Sequence, residues 1–135
     1  MLNTAIIGLG WWGKTHVNAI HGKSDKVKIR RVVDMAPDKV RDFVSERNLE
    51  LSTRFEDALA DPGVDAVVLV TPHSQHTDQI AAAAAAGKHA FSEKPFALNA
   101  GEARRAVAAA KKAGIRLGLG HNQRFNPTVV EMKRM

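Results

Sequence analysis

The sequence predicts an α/β fold built on a doubly wound parallel sheet, and three observations predict it. Short apolar runs alternate with helical patterns along all 135 residues, the arrangement that parallel strands joined by crossover helices require. Several of these runs are rich in Val, Ile and Leu without polar alternation, as strands covered on both faces are. A G-x-G-x-x-G stands between the first apolar run and the first helical stretch, where a doubly wound fold turns its chain sharply.

The elements follow in order. The run Thr4–Ile7 leads straight into Gly8-Leu9-Gly10-Trp11-Trp12-Gly13 and a helical stretch. A second run, Lys28–Val33, is followed at once by Asp34. Pro37 suits a first helical position, Val40, Phe43 and Val44 give an i, i+3, i+4 stripe, and Asn48 can end that helix. A weak strand is expected near Leu51–Thr53. Thr53 and Glu56 have the spacing of a capping box ahead of Ala58 and Leu59, and Pro62-Gly63 breaks that segment. The fourth run is Ala66–Val70. The alanines from Ala81 to Ala86 favour a helix closed by Gly87, and small side chains let it lie close to a sheet. His89–Phe91 is the fifth run. Asn99 and Glu102 make a second capping box; Ala103, Ala106, Val107 and Ala110 line one face, Lys111 and Lys112 suit the negative helix end, and Gly114 stops it. Arg116–Leu119 is the sixth run. Six strands with crossovers give the order 3-2-1-4-5-6, with ligands at the carboxyl ends of the strands.

The glycine motif in this setting points to a dinucleotide. Gly8 makes the tight turn, Gly10 lets backbone approach a pyrophosphate, and Gly13 lets the helix pack against the sheet. The helix N-terminus presents N–H groups and the positive dipole end to the anion. Asp34 is positioned to accept hydrogen bonds from the adenosine ribose hydroxyls, and its charge repels a 2′-phosphate, so NAD is expected ahead of NADP. Arg30, Arg31 and Lys39 nearby are the counter-signal. Trp11 and Trp12 occupy the first helical turn, where one can pack on the core or wall the cleft.

Composition narrows the remaining classes. The chain carries a net charge of +6 and no cysteine, which excludes disulfides and thiolate metal sites. No acid and histidine pair has metal spacing, so no metal is expected. The basic residues are scattered and aromatics few, which argues against nucleic acid. No apolar stretch is long enough for a bilayer, and no signal peptide is visible; a soluble cytoplasmic protein is expected.

Four segments resemble the glucose–fructose oxidoreductase, inositol dehydrogenase and rhizopine-catabolism (Gfo/Idh/MocA) family. They are Gly8–Gly13; Val64–Pro72 followed by His76; Glu93-Lys94-Pro95; and Gly120-His121-Asn122-Gln123-Arg124-Phe125-Asn126-Pro127. The resemblance covers the whole chain. It implies a Rossmann nucleotide-binding domain of a nicotinamide-dependent oxidoreductase acting on a sugar, polyol or related hydroxy compound. It implies a catalytic Lys94 that stabilises developing alkoxide, although on its residues alone Lys94 reads equally as a surface lysine. It further implies Glu93 on the nicotinamide ribose, a cis peptide before Pro95, Thr71 and Pro72 bringing backbone to the cofactor, and a site-adjacent structural role for His76. Asn122, with His121, is expected to face the nicotinamide, and Arg124 to belong to the same site. His16 reads as a packed or surface histidine.

Residues 1–125 are expected to form the dinucleotide-binding domain and residues 126–135 the start of a connection to a second α/β domain, which the family uses for substrate and for an Asp-x-x-x-His acid/base pair. Nothing in the chain matches that pair. A truncated piece of a full enzyme, a stand-alone dinucleotide-binding module without turnover, and an inactive remnant are the three readings, the first favoured. A small-molecule substrate is expected only with the second domain, and uncovered apolar surface predicts a homo-oligomer.

Overall fold

The computed structural model describes residues 1–135. Its six strands are β1 (Leu2–Ile7), β2 (Val27–Val33), β3 (Glu50–Ser52), β4 (Ala66–Leu69), β5 (His89–Glu93) and β6 (Leu117–Gly120). They form one sheet in the order β3-β2-β1-β4-β5-β6, parallel throughout. The expected doubly wound order is therefore present. The helices between and after them are α1 (Trp11–Ile20), α2 (Arg41–Ser45), α3 (Phe55–Ala60), α4 (His76–Ala85), α5 (Ala100–Ala113) and α6 (Pro127–Arg134).

The missing polar alternation has a direct cause. β1 sends Ala5 and Ile7 into one core and Ile6 into the other; β4 likewise divides Val67 and Leu69 from Val68. The first core is closed by Ala58 of α3, Ile80 and Ala83 of α4 and Ala106 of α5. The second is closed by Val17 of α1 and Val40 and Val44 around α2. Side chains alternate between two apolar layers rather than between core and water, so Ala5–Ile7 of β1 and Val67–Leu69 of β4 are apolar on both faces. Alanine on α4 and α5 keeps these two helices close to the sheet and to each other.

Several end signals act as expected. Asn48 takes a left-handed φ of 50° after α2, and Gly114 caps α5 at φ 68°. The Asn99 side chain accepts the Glu102 N–H, while Glu102 reaches back to the Leu98 N–H. Two expectations need correction. Pro37 opens a separate 3-10 turn, Pro37–Lys39, and the α-helix begins only at Arg41. Thr53 does not cap: α3 starts at Phe55 with an extended Arg54 at its N-cap and no side-chain cap bond. Phe55 and Leu59 pack on the first core, and that burial sets the helix start one residue beyond the capping-box frame.

A buried carboxylate ties strand to loop. Asp61, just after α3, accepts Arg30 Nε at 3.0 Å, Arg31 Nη2 at 3.3 Å and the Gly63 N–H at 2.8 Å. Burial alone pushes its carboxyl up; the Gly63 N–H and the two guanidinium groups outweigh this and hold it below its ordinary range. A folded-state pKa below the unfolded one adds stability that is present above the unfolded pKa and lost as pH falls through the folded value. Asp61→Asn is therefore expected to lower the urea midpoint at pH 7, and the gap from the unsubstituted chain should close below a pH of about 4. Urea titrations across that range check it.

Candidate functional site

The site forms where β1 ends. Gly8 has a φ of +92°, and a Cβ there would meet the Val70 carbonyl oxygen at 2.8 Å. A Cβ on Gly13 would strike the Gly8 carbonyl oxygen. Both positions demand glycine, one for its turn and both for close backbone approach. Gly10 differs: nothing lies within 4 Å of where its Cβ would stand. That open face lies at the N-cap of α1, where no side chain caps and no acid occupies the first turn. The first N–H groups of the helix are left for an outside acceptor.

Two clefts meet here. The smaller, of 410 Å³, is bounded by Gly10, Lys14, Asp34 and Lys39. Asp34 Oδ2 accepts the Leu9 N–H at 2.7 Å and Oδ1 accepts the Ala36 N–H at 2.9 Å. The carboxylate is thus oriented by backbone, and each oxygen keeps acceptor capacity. Arg30 and Arg31 point elsewhere, to Asp61 and Glu50. The larger cleft, of 840 Å³, is lined by Trp12, Thr71, Glu93, Lys94, Asn122 and Arg124, among others. Trp11 borders both clefts and is 78 % exposed.

The remaining expected residues stand behind these walls. Thr71 lines the larger cleft and gives its hydroxyl to Gln79 on α4. Pro72 is exposed and opens a 3-10 turn rather than lining the cleft. The Lys94–Pro95 bond is cis. His76 is 1 % exposed; its Nδ1 faces the Pro95 carbonyl at 2.9 Å and its Nε2 the Thr71 carbonyl at 3.0 Å. It therefore fastens the loop after β4 to the loop after β5. A neutral imidazole donates to one of these carbonyls, an imidazolium to both.

Sequence reasoning underrated His16. From the second turn of α1 its Nε2 lies 2.9 Å from Glu93 Oε1, linking residues 77 apart. The i+3 spacing from Gly13 was the available signal, because it turns position 16 toward the sheet edge. Lys14, which borders the smaller cleft, was also missed. A dinucleotide fits this arrangement on three grounds: the open face at Gly10, the backbone-held acid at Asp34, and a buried indole N–H on Trp12 with no partner. No group of three or more His, Cys, Asp or Glu side chains is placed to hold a metal, and no helix is long and apolar enough to cross a membrane.

Comparison with known proteins agrees with this geometry. The family described as "Oxidoreductase family, NAD-binding Rossmann fold" matches residues 2–121. The chain is 34 % identical over 131 residues to scyllo-inositol 2-dehydrogenase (NAD(+)) of Bacillus subtilis, covering 96 % of this chain and 38 % of that enzyme. It superposes on scyllo-inositol dehydrogenase from Lactobacillus casei with bound NAD(H) and scyllo-inositol at a TM-score of 0.90, with 29 % identity, covering 98 % of this chain and 40 % of that one. The WlbA dehydrogenase from Chromobacterium violaceum, in complex with NADH and UDP-GlcNAcA, gives a TM-score of 0.92 at 28 % identity, covering 98 % of this chain and 39 % of that one. The chain belongs to the Gfo/Idh/MocA oxidoreductase family and corresponds to its NAD-binding domain. It spans about 38 % of the length of the curated relatives it matches.

The His76 bridge makes a measurable claim on stability. His76→Leu removes the ring N–H that lies between two carbonyls and is expected to cost about 1–3 kcal/mol. His76→Asn, which keeps one donor group, should cost less. Chemical denaturation of both variants beside the unsubstituted chain checks it.

Proposed function

We propose that this member of the family binds NAD across the two clefts and serves an oxidoreductase acting on a sugar, polyol or related hydroxy compound. One observation carries the reading: the two clefts meet at Trp11 over the N-terminus of α1, with a backbone-held acid in one and Glu93 and Lys94 in the other. The adenosine ribose then lies at Asp34, the pyrophosphate over Gly10 and the first N–H groups of α1, and the nicotinamide in the larger cleft. Gly8 and Gly13 support that path, and Trp11 and Trp12 wall it. When bound, the nicotinamide exchanges hydride with a substrate carbon.

The chain's own groups supply the rest. The Lys94 ammonium, exposed at the rim of the larger cleft, hydrogen-bonds the substrate oxygen and stabilises charge that develops on it. Glu93, Asn122 and Arg124 border the nicotinamide end, Thr71 lines the wall beside it, and His76 holds that wall in place. Residues 126–135 read as the start of a connection to a second α/β domain. The commitment of Arg30 and Arg31 to Asp61 and Glu50 supports NAD over NADP, because neither guanidinium is left for a 2′-phosphate; Lys14 and Lys39, which border the smaller cleft, are the remaining counter-signal. Scattered basic charge supports a partner set without nucleic acid. Phe125, Val129 and Met132, all exposed, support self-association, and a cytoplasmic setting suits an NAD-linked reaction.

Calorimetric titration of the chain tests the cofactor. NAD⁺ should bind more tightly than NADP⁺, and Asp34→Ala should weaken NAD⁺ by about tenfold or more, the loss of charge-assisted hydrogen bonds. Tighter binding of NADP⁺, or an Asp34→Ala chain with unchanged affinity, refutes the assignment.

A further inference from the structure

The larger cleft holds one acid, Glu93, next in sequence to Lys94. That carboxylate is 7 % exposed as a residue and is held from three sides. His16 Nε2 meets Oε1 at 2.9 Å. The Lys94 backbone N–H reaches Oε2 at 3.3 Å. Behind it lies Gly120 of β6, where a Cβ would stand 2.8 Å from Oε1. Gly118, two residues earlier, similarly clears Phe91, whose ring would lie 3.1 Å from a Cβ at that position. The LGLG pattern of β6 therefore opens a shelf for Phe91 and Glu93, the two residues that β5 pairs with it at those positions.

His16 stands on the other side of that shelf. Its ring meets Phe91 edge-on at 6.2 Å and Trp12 edge-on at 5.7 Å. These two rings fix the imidazole plane, and the Nε2 must carry a proton to face a carboxylate. A neutral ring then donates a hydrogen bond, and a protonated ring adds a charge that offsets Glu93. In either form the acid is turned by His16 and denied the freedom to fold onto the neighbouring Lys94 side chain.

We propose that His16 is a positioning residue for the nicotinamide end of the cleft, acting through Glu93. The inference rests on the reading that the larger cleft takes the nicotinamide. Helix α1 then has two roles. Its first turn receives the pyrophosphate, and its second orients the acid beside Lys94.

ADP, which lacks both the nicotinamide and its ribose, separates the two roles. The full chain is titrated with NADH and with ADP, and energy transfer from its two tryptophans to bound NADH is recorded. Transfer in the unsubstituted chain supports the nicotinamide reading; NADH that binds without transfer refutes that reading separately. His16→Phe keeps the ring and loses the hydrogen bond. It should weaken NADH by about tenfold, alter the bound NADH emission, and leave ADP within about twofold. His16→Gln, which keeps a donor, should recover most of the NADH affinity. Equal weakening of both ligands, or no change in either, overturns the proposal. A measurement without substitution stands beside these. The ring nitrogen shifts of His16 should move when NADH binds and stay still when ADP binds; shifts indifferent to NADH also overturn it.

Discussion

Helix α1 approaches the end of β1 so closely that Gly13 has no room for a Cβ against the Gly8 carbonyl. The rest of the site depends on this contact. It brings the first turn of α1, which has no side-chain cap, against the end of β1. It also brings position 16 within hydrogen-bond reach of β5. A bulkier residue at Gly13 would lift the helix, drawing its first N–H groups away from the end of β1 and His16 away from Glu93 together. One steric allowance thus serves two parts of the proposed site. The turn at Gly8 is coupled to it, because its own lack of a Cβ lets the Val70 carbonyl and the loop after β4 come alongside.

The two-sided core makes that contact rigid. β1 and β4 lie in the middle of the sheet and alternate their side chains between two apolar layers. A one-residue slip of either strand would exchange every partner across both layers. The carboxyl ends of the strands are therefore fixed in relative height. Backbone at Gly8, Asp34, Thr71 and Glu93 emerges along one edge, and loops only finish what the strands have set. His76 adds a lateral tie between two of those loops, whereas Asp61 does comparable work at Arg30 and Arg31 of β2.

How much was legible in the sequence follows from the range of each interaction. Strand order, the glycine turn, Asp34 after β2 and the caps at Asn99 and Gly114 are local patterns or consequences of chain order, and they could be read. The Thr53–Glu56 signal was local too, yet burial of Phe55 and Leu59 outweighed one capping hydrogen bond. His16 and His76 were legible as residues but not in their contacts, which cross 77 positions in one case and join two loops in the other. Arg30 and Arg31 were ambiguous for the same reason: a guanidinium beside an acid at the end of β2 reads as a phosphate ligand until its partner on a distant loop is known.

The two ends of the site follow opposite electrostatic designs. At the smaller cleft an acid is presented: backbone N–H groups orient Asp34, and no guanidinium pairs with it. It can act as a hydrogen-bond acceptor because its charge stays uncompensated by a fixed cation. At the larger cleft an acid is restrained: His16 and the Lys94 N–H occupy Glu93, and Gly120 closes its back. An unrestrained carboxylate there would neutralise the neighbouring lysine, and a neutralised ammonium gives little to an oxygen gaining charge. On the proposed reading, restraint of Glu93 is thus the condition under which Lys94 acts, and it falls to the same helix whose N-terminus would receive the pyrophosphate.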